Sequence, residues 1–305
     1  MQPANLFGLL ATTCVFGCLA TWGVIFSRRS AGKPVVPYGS RFPVPWTGPD
    51  LIAVALLLFC AYSLAPIVAL LEKNSITQPQ VTTSATDQSK IDPPPLRISP
   101  LVGLTQAMAS LGACIVVALG FRHFAGASWR DLGILPARPL NDITLGVAGM
   151  LASIPVYAIH GLVTRYLAPS EHPLLKSLEE RPDSDMLAIA LLLAVFVAPV
   201  VEEFFFRVIL QGWLESKEDE WYADHSFLAA VPRGVLPVSA SAALFALLHS
   251  SQGPDPIALF PLALGLGYLY RQTHRLWPGM VMHMCFNGAS LLTLWIILQS
   301  GELPS

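Results

Sequence analysis

Residues 186–210 read MLAIALLLAVFVAPVVEEFFFRVIL. No charge falls between Asp185 and Glu202, and the run has the length and character of a helix that crosses a bilayer. It then sets Glu202, Glu203 and Arg207 within the apolar stretch. A charge at the bilayer centre costs about 2.5–3.5 kcal/mol on insertion scales, so these groups need partners or a task. A plainer reading makes this the cytoplasmic end of a span, with Arg207 reaching the interface; two adjacent glutamates fit that less well, because acids are too short to snorkel.

The rest of the chain agrees with a membrane setting. Of 305 residues, 53% are hydrophobic and 12% charged, against about 25% charged in soluble domains. Mean hydropathy is +0.57. Apolar segments near 5–26, 50–71, 100–121, 142–167, 187–210, 234–250, 256–270 and 276–298 predict an all-α polytopic transmembrane helix bundle of about eight spans. Continuous rather than alternating apolarity selects helices over a barrel. The sixth and seventh segments are short and are expected to tilt or to lie partly inside the bundle. Residues 5–26 lack a basic start and precede Arg28 and Arg29, which reads as a retained span rather than a cleaved signal. Residues 72–99 read as a polar loop ending in DPPPL, and GWLESKEDEWYADHSFL, from Gly212, as an amphipathic interfacial helix.

Charge bounds the partners and the orientation. A net charge of −2 offers no basic field for nucleic acid. With the N-terminus outside, the inner loops hold 12 of the 18 Lys and Arg, which predicts N-out and C-out in a bacterial-type cytoplasmic membrane. Cys14, Cys18, Cys60, Cys114 and Cys285 all lie in apolar runs and read as small hydrophobes.

The polar groups inside the spans then sort by helical spacing. Glu203 and Arg207 are four apart, share a face and are expected to form a structural ion pair. Glu202 is turned about 100° away and stays free for another task. His249 closes SASAALFALLHS, with Phe245 one turn before it. His283 and Asn287 are four apart in PGMVMHMCFNGAS. Polar groups so placed must point into the bundle. His160 reads as a satisfied interhelical hydrogen bond. Glu202 is thus a candidate base and His249 a second base or orienter, while His283 and Asn287 can donate to a developing oxyanion. GxSxG and HExxH are both missing. Ser128, in a loop beside Arg130, has no such company. The kit suits direct attack by water.

These residues resemble a family. EEFFFR matches the EExxxR motif of the CAAX protease and bacteriocin-processing (CPBP) intramembrane peptidases, FALLH their FxxxH, and HMCFN their HxxxN, in the same order over about residues 185–295. The resemblance implies an intramembrane endopeptidase acting on a membrane-associated protein or peptide in the lipid bilayer, with lipidation of that substrate left open. It maps catalysis to Glu202, His249, His283 and Asn287. The resemblance leaves the first two spans and the loop after them unaccounted for, and with the hydropathy it gives the organisation: a two-span region with polar loops over 1–99, two spans over 100–184, a peptidase core over 185–298 built from the C-terminal four spans, and a tail over 299–305. The family carries both a metalloprotease description and a metal-free glutamate mechanism. Glu202, His249 and His283 could form a zinc shell with one open position, and the metal-free route is taken first. The rival expectations are a non-catalytic scaffold or immunity protein of the same fold, and an ion- or proton-coupled transporter.

Overall fold

Helix after helix follows from these apolar runs, because backbone groups in lipid must bond within their own segment. The computed structural model describes residues 3–39, 44–76, 99–135, 138–166 and 168–300, and every regular element among them is helical. The expected 72–99 loop lies almost wholly outside the described residues. First come α1 (Pro3–Ser30), α2 (Gly48–Ile76) and α3 (Pro100–Phe124). Ser99 caps α3 and donates to Glu72 Oε2 at 2.7 Å, tying the end of α2 to the start of α3. Next, α4 (Pro139–Ala152) and α5 (Ile154–Tyr166) meet at a 44° bend. Pro155 begins the second limb without an N–H to continue the first, which accounts for the break. The short α6 (Pro173–Glu180) follows.

The segment that opened the reading becomes one continuous helix, Ser184–Asp224. Its parts are α7 (Ser184–Ala190), a π-helical segment (Leu191–Val197), α8 (Ala198–Glu203), a second π segment (Phe204–Gln211) and α9 (Gly212–Asp224). The chain ends in α10 (Val235–Leu248), α11 (Pro256–Thr273) and α12 (Leu276–Ser300).

Among the described residues, five helices are long and apolar enough to cross a membrane, and the bent α4–α5 pair makes a sixth path. This is fewer than the eight segments read from hydropathy. The difference lies in α10 and α11. At 1.5 Å per residue, α10 is about 21 Å long, short of the roughly 30 Å hydrocarbon core. It is also packed inward: Ala242 and Phe245 on α10, and Leu262, Ala263 and Leu266 on α11, are at most 1% exposed. Large apolar side chains remain on the open faces, such as Phe59 and Leu56 on α2, Leu104 on α3 and Leu247 and Leu248 at the end of α10, as a lipid-facing surface requires. The chain is an integral, multi-pass membrane protein.

The interfacial helix expected from Gly212 onward is not a separate element. The structure makes it the last three turns of the long helix, because its acids are used internally. Glu215 and Glu218 are buried, Arg271 pairs with both at 2.9 and 3.3 Å, and His274 reaches Glu215 at 3.1 Å. This cluster lies at one end of the bundle. There Leu276 N–H donates to Gly133 O, Trp277 Nε1 to Ile134 O, and Gly39 N–H to Gln272 O. At the other end, a strap of residues 168–183 lies beside the 249–255 loop, where Glu171 N–H donates to Gln252 O.

Candidate active site

Two wide π turns bracket α8, and Glu202 and Glu203 are its last two residues. In the first π segment, Ala198 N–H reaches back five residues to Leu193 O. The next donor in that pattern would be Pro199, which has none, so Ala194 O is left without a helical partner. Asn287 Nδ2 fills the gap, donating to Ala194 O at 2.8 Å. One N–H of that amide thus ties α12 to the turn that precedes the two acids.

Glu203 is fully buried and its carboxylate is saturated. Oε2 accepts from Arg207 Nε at 3.3 Å, and Oε1 accepts from His283 Nδ1 at 3.1 Å. Arg207 also donates through Nη1 to Ser241 Oγ at 2.9 Å, and Ser241 donates onward to Phe206 O. The other ring nitrogen of His283, Nε2, lies 3.7 Å from Glu202 Oε2. The two carboxylates differ in access: the Glu202 side chain is 19% exposed and that of Glu203 is 0%. Glu202 is the acid that a ligand can reach.

On α10, Ser241, Phe245 and His249 succeed one another at intervals of four and line one face. His249 is the residue that ends the helix, and its Nδ1 donates to Phe245 O at 2.7 Å, which directs Nε2 outward. The Phe245 ring is the common wall: it lies 4.7 Å from the His249 ring, 5.9 Å from the His283 ring and 5.6 Å from the Arg207 guanidinium. Glu202 is within electrostatic reach of both His283 and His249.

The structure therefore brings Glu202, Glu203, Arg207, His249 and His283 to one place, with Asn287 one turn beyond His283. Three further residues shape this place. Phe245 is the aromatic residue of FALLH, and Ser241 lies in the same four-residue rhythm, which is the one sequence signal that marks it. Gly279, four residues before His283, faces Glu203, where a Cβ would come within 2.9 Å of Oε2. His160 does make an interhelical bond, Nε2 to Asp255 Oδ1 at 3.0 Å. Ser128 is a capping residue: its Oγ accepts from Asp131 N–H while Asp131 Oδ2 accepts from Ser128 N–H.

A zinc shell needs Glu202, His249 and His283 to converge on one point. His283 keeps Nε2 open, since Nδ1 is the nitrogen bonded to Glu203, yet among the described residues no group of three or more His, Cys, Asp or Glu side chains is placed to hold a metal ion. No step below runs through one.

Residues 184–289 match the family model of type II CAAX prenyl endopeptidase Rce1-like proteins. This part of the chain is an Rce1-like domain. The assignment is consistent with the CPBP resemblance. No curated protein and no solved structure matches the sequence. The Rce1-like domain begins with the long helix and ends within α12, so it contains both glutamates, Arg207, His249, His283 and Asn287. Its family points to an intramembrane peptidase of the CAAX type.

Proposed function

We propose that the Rce1-like domain is an intramembrane endopeptidase that cleaves a membrane-associated protein or peptide with a water activated by Glu202. The observation that carries this reading is the unequal pairing of the two glutamates. Glu203 is consumed by Arg207 and His283, while Glu202 keeps an open side toward the two histidines. A partly accessible carboxylate 3.7 Å from His283 Nε2, within electrostatic reach of His249, has what a general base needs.

In this mechanism Glu202, helped by His249, holds a water and takes its proton as the oxygen attacks the scissile carbonyl. The tetrahedral oxyanion is met by His283 and Asn287. Because His283 Nδ1 donates to Glu203, its bond to the oxyanion uses Nε2–H, and the ring carries both protons at that step. Asn287 gives one N–H to Ala194 O and has a second for the oxyanion. Glu202 then returns its proton to the leaving amine. The residues outside 184–289 are proposed to supply the lipid-facing frame, with N-out and C-out orientation. In support of that orientation, the last turn of α11, which bears Arg271, and the following turn, whose Arg275 donates to Asp142, lie with residues 133–142 at one end of the bundle.

The test is cleavage of membrane proteins by the purified chain and its Glu202→Gln variant, followed by comparative proteomics of membranes carrying each. The variant should insert normally and cleave nothing. Equal cleavage by both proteins would falsify the assignment of Glu202.

A further inference from the structure

Behind His249 lies a second polar cluster that the mechanism does not use. Asp255 sits six residues after His249, just before α11, and is only 6% exposed. Both of its carboxylate oxygens are engaged. Oδ1 accepts from His160 Nε2 on α5 at 3.0 Å, and Oδ2 accepts from the Ser170 hydroxyl at 2.7 Å. The arrangement has the residue types of a nucleophilic triad but not its order: Ser170 donates straight to the acid, so no base takes its proton.

The cluster instead connects the strap to the loop that leaves His249. Gln252 N–H donates to His249 O at 2.9 Å, closing a single 3₁₀ turn on the histidine, and Gln252 O in turn accepts from Glu171 N–H at 3.2 Å. Gly253 has φ +71, and a Cβ there would lie 3.0 Å from Pro169 O. Only glycine lets the loop press this closely on the strap. His249 is therefore held from two sides, by Phe245 O on the helix and by a turn whose far end is pinned to the strap. A buried carboxylate with both oxygens bonded is costly to disturb.

Building on the peptidase reading above, we propose that Asp255 is a positioning residue: its carboxylate locks α5 and the 168–172 strap onto the loop leaving His249, and so fixes the imidazole beside Glu202. It touches no reacting atom and acts through His249.

The experiment uses the full chain in lipid nanodiscs, treated with diethyl pyrocarbonate, with modification of His249 followed by mass spectrometry and exposed His123 as internal standard. Asp255→Asn is expected to raise the His249 rate by at least about tenfold, as expected for loss of a hydrogen bond to a charged group that held the site closed. Ser170→Ala should move it the same way by less. Cleavage by Asp255→Asn should lose about 10- to 100-fold in kcat at unchanged KM, the signature of a misplaced catalytic group. An unchanged His249 rate overturns the proposal, whether or not any peptide is cut. Absence of cleavage by the wild-type chain would instead sink the peptidase reading and leave the labelling result to judge Asp255. If Asp255→Asn does not fold, Ser170→Ala and His160→Phe each remove one partner and decide the same rate.

Discussion

Glu203 holds Arg207 with one carboxylate oxygen and His283 with the other, at 3.3 and 3.1 Å, and all three side chains are at most 2% exposed. Adjacent glutamates should therefore answer differently to the same substitution. Glu203→Gln leaves Arg207 buried without its counter-charge, a change worth about 3–5 kcal/mol. Thermal unfolding in detergent should drop sharply and the folded yield with it. Glu202→Gln, at the accessible edge, should melt like the wild type. Equal melting losses for the two would sink this division of labour.

Gly279 gives Glu203 its room. A methyl at that position meets Oε2 at 2.9 Å, so Gly279→Ala must push the carboxylate off His283 or Arg207. Overpacking of this kind costs about 1–3 kcal/mol. Lower thermal stability together with impaired cleavage is expected, whereas Gly288→Ala, on the same helix with its nearest neighbour 3.8 Å away, should be tolerated. Matching behaviour of the two variants would remove the special role of Gly279.

Asn287 separates chemistry from structure in another way. Asn287→Ala loses a proposed oxyanion donor, typically about 10²–10³ in rate, and also strands the Ala194 carbonyl, at about 1–3 kcal/mol. Activity should thus fall far more than the melting temperature. A variant that melts early yet cleaves at nearly the normal rate when folded would reassign Asn287 to holding the π turn alone.

His172 gives the strap a pH dependence. Its Nδ1 accepts from Leu174 N–H and so caps α6, which requires the neutral ring. Burial holds its pKa below the ordinary value of about 6.5; His249 acts in the same direction and Asp255 against it. Above about pH 7.5, a unit beyond the ordinary value, neither the folded nor the unfolded chain carries this proton, and the cap is intact. As pH falls toward the lowered folded value, the unfolded state takes up the proton first, so stability is lost. Amide exchange over residues 173–177, corrected for its intrinsic rate, should accelerate between about pH 7.5 and 5.5. His172→Gln should abolish that acceleration, and its persistence in the variant would clear His172 of the effect.

The helices were legible because lipid makes them so: a run such as Leu191–Val197 has no other way to bond its backbone. The Glu203–Arg207 spacing was legible for the same local reason. Hydropathy marked α10 and α11 as short and partly inside the bundle, but not which face of each packs inward, since a buried apolar face reads like one that faces lipid. Glu215 and Glu218 looked like a polar surface because their partner, Arg271, is more than 50 residues away in the chain. Gly279 carried no signal at all; its meaning is an empty volume, and only the facing Glu203 reveals it. The bond from His283 to Glu203 was missed because the acid had already been assigned to its neighbour on the helix.

The two π segments have a consequence for how this chain can vary. Each π turn holds a surplus residue relative to an α-helix, and α8 is suspended between two of them. A residue lost from Leu191–Val197 removes that surplus, so the turn can close to the α form and Glu202 and Glu203 stay near their azimuth. A residue lost from α7, which has none to spare, would leave hydropathy nearly untouched yet rotate the acids by about 100° relative to everything before the gap. Insertions and deletions here are thus constrained by azimuth rather than by composition, and a one-residue deletion should be tolerated better in a π segment than in α7.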